Sequence, residues 1–487
     1  MKTLNTDRLA SLATWALPLV IGLIFAAAHM PHNFWHDELY TLLFFSQTPL
    51  QPLRDYHLPN NHILFSMLLS LWRIPTDHLY WLRMLPMLAW IASLILTSLA
   101  VTRLVGRSTG LLAGLMLATS HAALNIAVEL RGYSLSAAFA SLGLYALTRD
   151  GRRWAFIYAL AGAAAVATIP INLATFATLA VIFVLLRHAG MIPAKAGAIW
   201  QMLSPLAGLI VYIPVLHQLR DSLAKGLSGP FTTLAWEWPT ATLGDYLWLA
   251  PLLTVSLWLA VRRRASWFGL AALAATLIVP LAATLPLTRK PTAYNFSPML
   301  PILYASFALA LAPALQWLER WRGWKTAITT LIAIALIVLG SWREATDAGY
   351  WQRAQNNTSL HNLYDQWFQS DYRIVEAAQR ASELLQQSNT VLIVGDRDPL
   401  TFLFHARSMF SPEANANLAI RLTDAETKPA FQQFILTRKP RILLIADSDA
   451  DAHNILRRLD LESHGTPQKT DDFGSFKIYK IQPPQKD

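Results

Sequence analysis

The feature that most limits what this chain can fold into is a series of apolar runs, long enough to bridge a bilayer and separated by short polar joints. A helix needs about 20 apolar residues to cross the hydrocarbon core. Candidate runs lie near 9–30, 82–102, 109–125, 134–148, 154–170, 171–187, 198–215, 244–261, 266–286, 296–317 and 326–341. Two of them meet at Ile169-Pro170-Ile171-Asn172, where proline and asparagine mark a tight turn. The first run follows Lys2 and Arg8 and is longer than the 7–15 residues of a signal-peptide core, so it is expected to be a span.

The charges fit this reading. Only 14% of the 487 residues are charged and 54% are hydrophobic, against about 25% charged in an ordinary soluble domain. The net charge of +10 comes from scattered clusters, not from one basic face, so no nucleic-acid partner is expected. Arg103 and Arg107, then Arg149, Arg152 and Arg153, then Arg187 and Lys195, then Arg262, Arg263 and Arg264, then Arg320, Arg322 and Lys325 occupy alternate joints. Lys and Arg mark cytoplasmic loops, so the N-terminus is expected inside. With an odd number of spans the C-terminal region then lies outside, in the periplasm of a two-membrane bacterium. Cysteine is absent, which excludes a thiolate nucleophile and a Cys-based metal site.

The predicted fold is an α-helical polytopic membrane protein of about eleven transmembrane helices over residues 1–341, with an external loop at 31–81, followed by an extracytoplasmic α/β domain at 342–487. In that domain, Tyr372 to Gln387 and Ala452 to Leu459 have helical periodicity, while Thr390–Val394 and Arg441–Ala446 read as buried strands. Gly395 follows the first strand, but no Gly-x-Gly-x-x-Gly does, so a dinucleotide site is not expected. In the external loop, Leu39 to Phe45 and His62 to Trp72 are apolar but too short to cross and suit helices lying at the membrane surface.

Four polar clusters fall on the outer side. Asp37 and Glu38 stand just after the first span; they suit the first turn of a helix, and a carboxylate there also suits a general base, with Asp37 as the candidate. Asp55-Tyr56-His57-Leu58-Pro59-Asn60-Asn61-His62 gathers His57, Asn61 and His62, too few ligands to specify a metal site. Glu129-Leu130-Arg131-Gly132-Tyr133 is either an ion pair closing a helix hairpin or a functional element. Arg289-Lys290-Pro291-Thr292-Ala293-Tyr294-Asn295 breaks the positive-inside pattern, and a phosphate would answer its charge. The external stretch His217 to Thr242 carries no assigned role.

In this order the clusters resemble the GT-C glycosyltransferases, specifically the bacterial relatives of protein O-mannosyltransferases and of the aminoarabinose transferases. The resemblance rests on the acidic pair after the first span, Pro59-Asn60-Asn61-His62 in place of a His-Pro-Pro element, Arg83-Met84-Leu85-Pro86, the Glu-x-Arg-x-Tyr-like Glu129 to Tyr133, and the Tyr294 to Pro301 stretch. It implies inverting transfer of a sugar from a polyprenyl-phosphate carrier in the membrane to an extracytoplasmic lipid, glycan or protein; no cofactor is expected, since Arg131, Arg289 and Lys290 can meet the phosphate charge, and a divalent metal is the minor alternative. Asp37 then corresponds to the base and Glu38 to its neighbour. His62, Arg131, Arg289 and Lys290 lie near the donor phosphate, and His57, Asn61, Glu129, Tyr133 and Tyr294 line the cleft. The aminoarabinose branch has an arginine three residues after its acidic pair where this chain has Tyr40, which leaves the sugar open. A multi-span transporter or flippase is the alternative; against it, the polar clusters sit in one-sided loops and not at the bilayer midplane. An O-antigen ligase is disfavoured by the C-terminal domain.

Overall fold

The computed structural model describes residues 2–30, 36–56, 61–76, 78–192, 198–226, 231–263, 267–285, 291, 293–318, 328–340, 374–385, 390–394, 418–419, 441–446, 449–458, 461–462, 465–473 and 476–482. The chain forms two compact units: Met1–Pro31 with Tyr40–Ala348, and His32–Leu39 with Gly349–Asp487. The segment expected as one loop over 31–81 is therefore divided at Tyr40.

The first unit is a helical bundle. It runs α1 (Lys2–His29), α2 (His36–Tyr40, its first four residues grouped with the other unit), α3 (Ile63–Trp72), α4 (Leu79–Val105), α5 (Arg107–Thr119), α6 (His121–Val128), α7 (Tyr133–Leu147), α8 (Arg152–Thr168) and α9 (Asn172–His188). Then come α10 (Ala198–Leu203), a 3-10 segment Ser204–Val215, α11 (Leu216–Gly226), α12 (Phe231–Leu243), α13 (Ala250–Arg263), α14 (Phe268–Thr284), α15 (Leu300–Leu318) and α16 (Ile328–Gly340). Among the described residues three helical stretches are long and apolar enough to cross a membrane, Leu79–Val105, Ile199–Asp221 and Tyr294–Leu318, with a fourth if the bent pair Arg107–Thr119 and His121–Val128 is one span. Among the described residues, apolar helices of 10–17 residues lie at the positions expected near 9–30, 134–148, 171–187, 244–261, 266–286 and 326–341, and one, Ile63–Trp72, lies in the expected external loop; the span expected over 154–170 is not among them.

The straight span expected over 109–125 is broken. α5 and α6 meet at 65°, because Ser120 leaves helical geometry (φ −76°, ψ 121°) and caps α6, its Oγ accepting from the Ala123 amide at 3.3 Å. Breaking a helix frees backbone groups that an apolar interior cannot solvate. Here Tyr246 from a later segment donates to the Met116 carbonyl at 2.5 Å, and Tyr304, which donates to the Thr242 carbonyl at 3.0 Å, accepts from the side-chain hydroxyl of Ser120 at 2.6 Å. α6 itself is buried all round.

Close helix approaches set the rest. A methyl on Gly114 of α5 would sit 2.2 Å from Ser98 Oγ and 2.8 Å from Pro18 Cγ, so only glycine lets α1, α4 and α5 meet. The end of α1 is held by the buried Arg83 of α4, which donates to the carbonyls of His29 at 3.2 Å and Met30 at 3.0 Å.

The second unit contains a five-stranded sheet in the order β2-β1-β3-β5-β4, formed by β1 (Thr390–Val394), β2 (Leu418–Ala419), β3 (Arg441–Ala446), β4 (Thr466–Phe473) and β5 (Phe476–Gln482). β1 pairs parallel with β2 and β3, while β5 runs antiparallel to β3 and β4. Both faces of β3 are buried, with Ile442, Leu444 and Ala446 against Ala452, Ile455 and Leu456 of α18 (Asp449–Arg458) and Leu443 and Ile445 on the opposite face. A further helix, α17 (Ile374–Leu385), is tied to β4 by Arg380 and Asp471 at 3.1 Å. Gly395 lies outside the described residues.

Candidate active site

The polar centre of the first unit is built on the four-residue turn between α6 and α7. Glu129 and Arg131, which the sequence places two apart, form an ion pair at 3.6 Å with side chains only 1% and 5% exposed. Two charges taken this far from water need further partners. Tyr294, at the start of the 3-10 segment Ala293–Met299 before α15, donates its hydroxyl to Glu129 Oε2. The Arg131 guanidinium lies over the rings of Tyr133, 4.8 Å to the centroid, and Tyr294, 5.8 Å, an arrangement that gains strength when desolvated. The two rings meet edge to face at 4.7 Å, and Asn295 donates to the Tyr133 hydroxyl at 3.4 Å.

His62 enters this cluster from the external segment. It precedes α3, is 2% exposed, and its Nδ1 lies 2.7 Å from the backbone N of Gly132. Its ring stands edge-on to Tyr133 at 4.9 Å. A side chain at 132 would close this approach: a Cβ there would fall 2.5 Å from Thr168 Cγ2 and 2.9 Å from His62 Cβ. Burial first, and the Arg131 charge second, hold the His62 pKa well below the usual histidine value.

Asn61 serves the loop in front of His62: its amide donates to the carbonyls of Pro52 at 2.9 Å and Asp55 at 2.7 Å, while Ser66 donates to its Oδ1. The same loop is gripped from the stretch to which the sequence assigned no role. Gln218 of α11 accepts from the Tyr56 amide and donates to the Arg54 carbonyl at 3.2 Å, pairing with the loop as a neighbouring strand would. Tyr56 is thereby buried edge-on to Tyr212 at 5.8 Å; its phenol pKa is raised by burial and by Tyr133, with Arg131 opposing. Tyr56 stood in a polar cluster that drew attention to its histidines, and no local signal marks Gln218 or Tyr212, because their roles exist only after the segments meet.

Asp37 and Glu38 occupy the first turn of α2 and are buried, 9% and 1% exposed. They belong to the other compact unit. His57, Arg289 and Lys290 lie outside the described residues. Among the described residues no three His, Asp or Glu side chains converge on a metal position.

An apolar helical bundle with this buried cluster on the turn between α6 and α7, in a chain that also carries a small α/β unit, is a fold found in other solved structures. Two solved structures share it. ArnT from Cupriavidus metallidurans in the apo state superimposes with a TM-score of 0.54 at 11% identity, over 99% of this chain and 98% of that one. ArnT from the same organism bound to undecaprenyl phosphate gives 0.53 at 13% identity, over 96% and 97%. At such identities the likeness is one of fold. No family model matches the sequence, and no curated protein does.

Proposed function

We propose that this protein is an inverting glycosyltransferase that moves a sugar from a polyprenyl-phosphate donor to an extracytoplasmic acceptor. The observation that carries the reading is the buried Glu129, Arg131, Tyr294 and His62 cluster, set within a fold shared end to end with a protein solved in complex with undecaprenyl phosphate.

In this mechanism Asp37 removes the proton from an acceptor hydroxyl or amine as that atom attacks the anomeric carbon. The bond between that carbon and the phosphate oxygen breaks from the opposite face, inverting the centre and releasing polyprenyl phosphate. Negative charge grows on the departing phosphate and calls for fixed positive charge and N–H donors. Arg289 and Lys290 supply the charge, His62 and Arg131 complete the phosphate end, and Glu129 with Tyr133 and Tyr294 holds Arg131 in place. Glu38 supports Asp37. In this reading the protein sits in the inner membrane with about eleven spans over 1–341, its N-terminus cytoplasmic and residues 342–487 outside.

The test is turnover of labelled polyprenyl-phosphate sugars by the protein in lipid with a membrane extract. Wild type should release polyprenyl phosphate and label an extract component, while Asp37→Asn, present in equal amount, should do neither. Full activity in that variant would refute the base assignment, and no turnover with any donor would favour a transporter.

A further inference from the structure

The contact between His62 and Gly132 decides how the histidine can work. A backbone amide only donates, so at 2.7 Å the His62 Nδ1 must be the acceptor and carries no hydrogen. In a neutral imidazole the proton then sits on Nε2. Either alternative, the imidazolium or the Nδ1–H tautomer, would bring two N–H groups face to face.

The surroundings resist protonation as well. The positive charge felt at the ring is Arg131, which burial leaves poorly screened; its pair with Glu129 makes that part of the cluster neutral as it stands. Among the described residues the ring's stacking neighbour is Tyr133, which does not stabilise a cation as a carboxylate would. The other ring nitrogen, Nε2, meets no hydrogen-bond partner among the described residues. That nitrogen is not among the fully enclosed polar atoms without a partner, so its N–H is open to an oxygen that a ligand brings.

We propose that His62 is a permanently neutral hydrogen-bond donor, offering Nε2–H to a phosphate oxygen of the bound donor, and that it neither relays protons nor ligates a metal. The Nδ1 lone pair is already used, and a metal on Nε2 would require the excluded tautomer. The phosphate rests on the glycosyl-transfer reading; the tautomer does not.

Nitrogen-15 NMR of histidine-labelled full-length protein in lipid bilayers tests both parts, with the His62 signals identified by their loss in His62→Asn. Expected is a neutral ring protonated at Nε2, unchanged between pH 5.5 and 8. Saturating polyprenyl phosphate should shift Nε2 and leave Nδ1 in place, whereas inorganic phosphate should shift it only if the lipid tail is dispensable. An imidazolium signal in that range, or an Nδ1–H ring, overturns the proposal. Polyprenyl phosphate that binds without moving Nε2 overturns the assigned ligand, while failure to bind at all counts against the glycosyl-transfer reading and leaves the tautomer decided by the spectrum.

Two substitutions give a crossed outcome. His62→Asn places an acceptor near Nδ1 and keeps the Gly132 bond, so it should fold normally yet raise KM for the donor by about ten- to a hundredfold. His62→Gln places an N–H near Nε2, so it should retain more donor affinity at lower stability. The opposite pattern would remove the distinction between the two nitrogens.

Discussion

Trp72 and Trp81 each donate the indole N–H to the other's backbone carbonyl at 2.8 Å, their rings stacked 4.7 Å apart and only 9° from parallel. This reciprocal pair closes the link between α3 and α4, and Arg73 pins the same corner to the Leu42 carbonyl at 2.8 Å. Trp72→Phe keeps stacking but deletes one bond, at about 1 kcal/mol; Trp72→Phe with Trp81→Phe should cost about twice that. The unfolding midpoint in lipid is the measure, and unchanged stability of the double variant would show the pair to be incidental.

Removing one partner of a buried ion pair leaves the other charge stranded, at about 3–5 kcal/mol. Glu129→Gln is expected near the lower end, because an amide still accepts from Tyr294. Adding Arg131→Met to it should cost much less than the two single changes summed, and a double-mutant cycle measures the coupling. Strict additivity would mean that the 3.6 Å pair contributes nothing.

Histidine 62 makes stability depend on pH in a fixed direction. Its folded pKa lies below the unfolded value, which is about 6.5, so below that pH the unfolded chain binds the extra proton. Its contribution is complete above about pH 6.5 and is lost as pH falls toward the folded pKa, at no more than about 1.4 kcal/mol per pH unit. His62→Asn should flatten the stability profile between about pH 5 and 6.5; an unchanged slope would contradict the assignment.

Gln218 grips the Tyr56 loop through two backbone groups, so Gln218→Ala should expose the Tyr56 amide. Losing about 1–3 kcal/mol of local protection corresponds to amide exchange faster by about ten- to a hundredfold, read by hydrogen exchange of the full-length protein in lipid. Equal exchange in wild type and variant would show that α11 does not fix the loop.

Much of this arrangement was legible in the residue order. The strands at Thr390–Val394 and Arg441–Ala446 and the Glu129 to Tyr133 element announce themselves through unbroken apolar runs and through charges where lipid-facing chains avoid them. The β4–β5 hairpin did not, since Thr-Pro-Gln-Lys-Thr-Asp-Asp-Phe has no apolar alternation and is a strand because β5 pairs with it at the sheet edge. The break at Ser120 also escaped, lacking proline or glycine; its one signal is a serine suited to a helix N-cap. Gln218 and Tyr212 reach the site from more than a hundred residues away, which no local pattern encodes.

The apolar window of Tyr294–Leu318 is wholly buried, with α15 lying against α4, α5, α7, α13 and α14. Its apolarity therefore serves its sister helices and not the lipid. Because a chain is made from its N-terminus onward, the helices packed against this central post are all synthesised before it, α4, α5 and α7 well before. Until it arrives they enclose a gap, and Glu129 waits for Tyr294. Assembly of the cluster is thus a late event in biogenesis, and a ribosome halted before residue 294 would leave a bundle whose Glu129 lacks the Tyr294 hydroxyl.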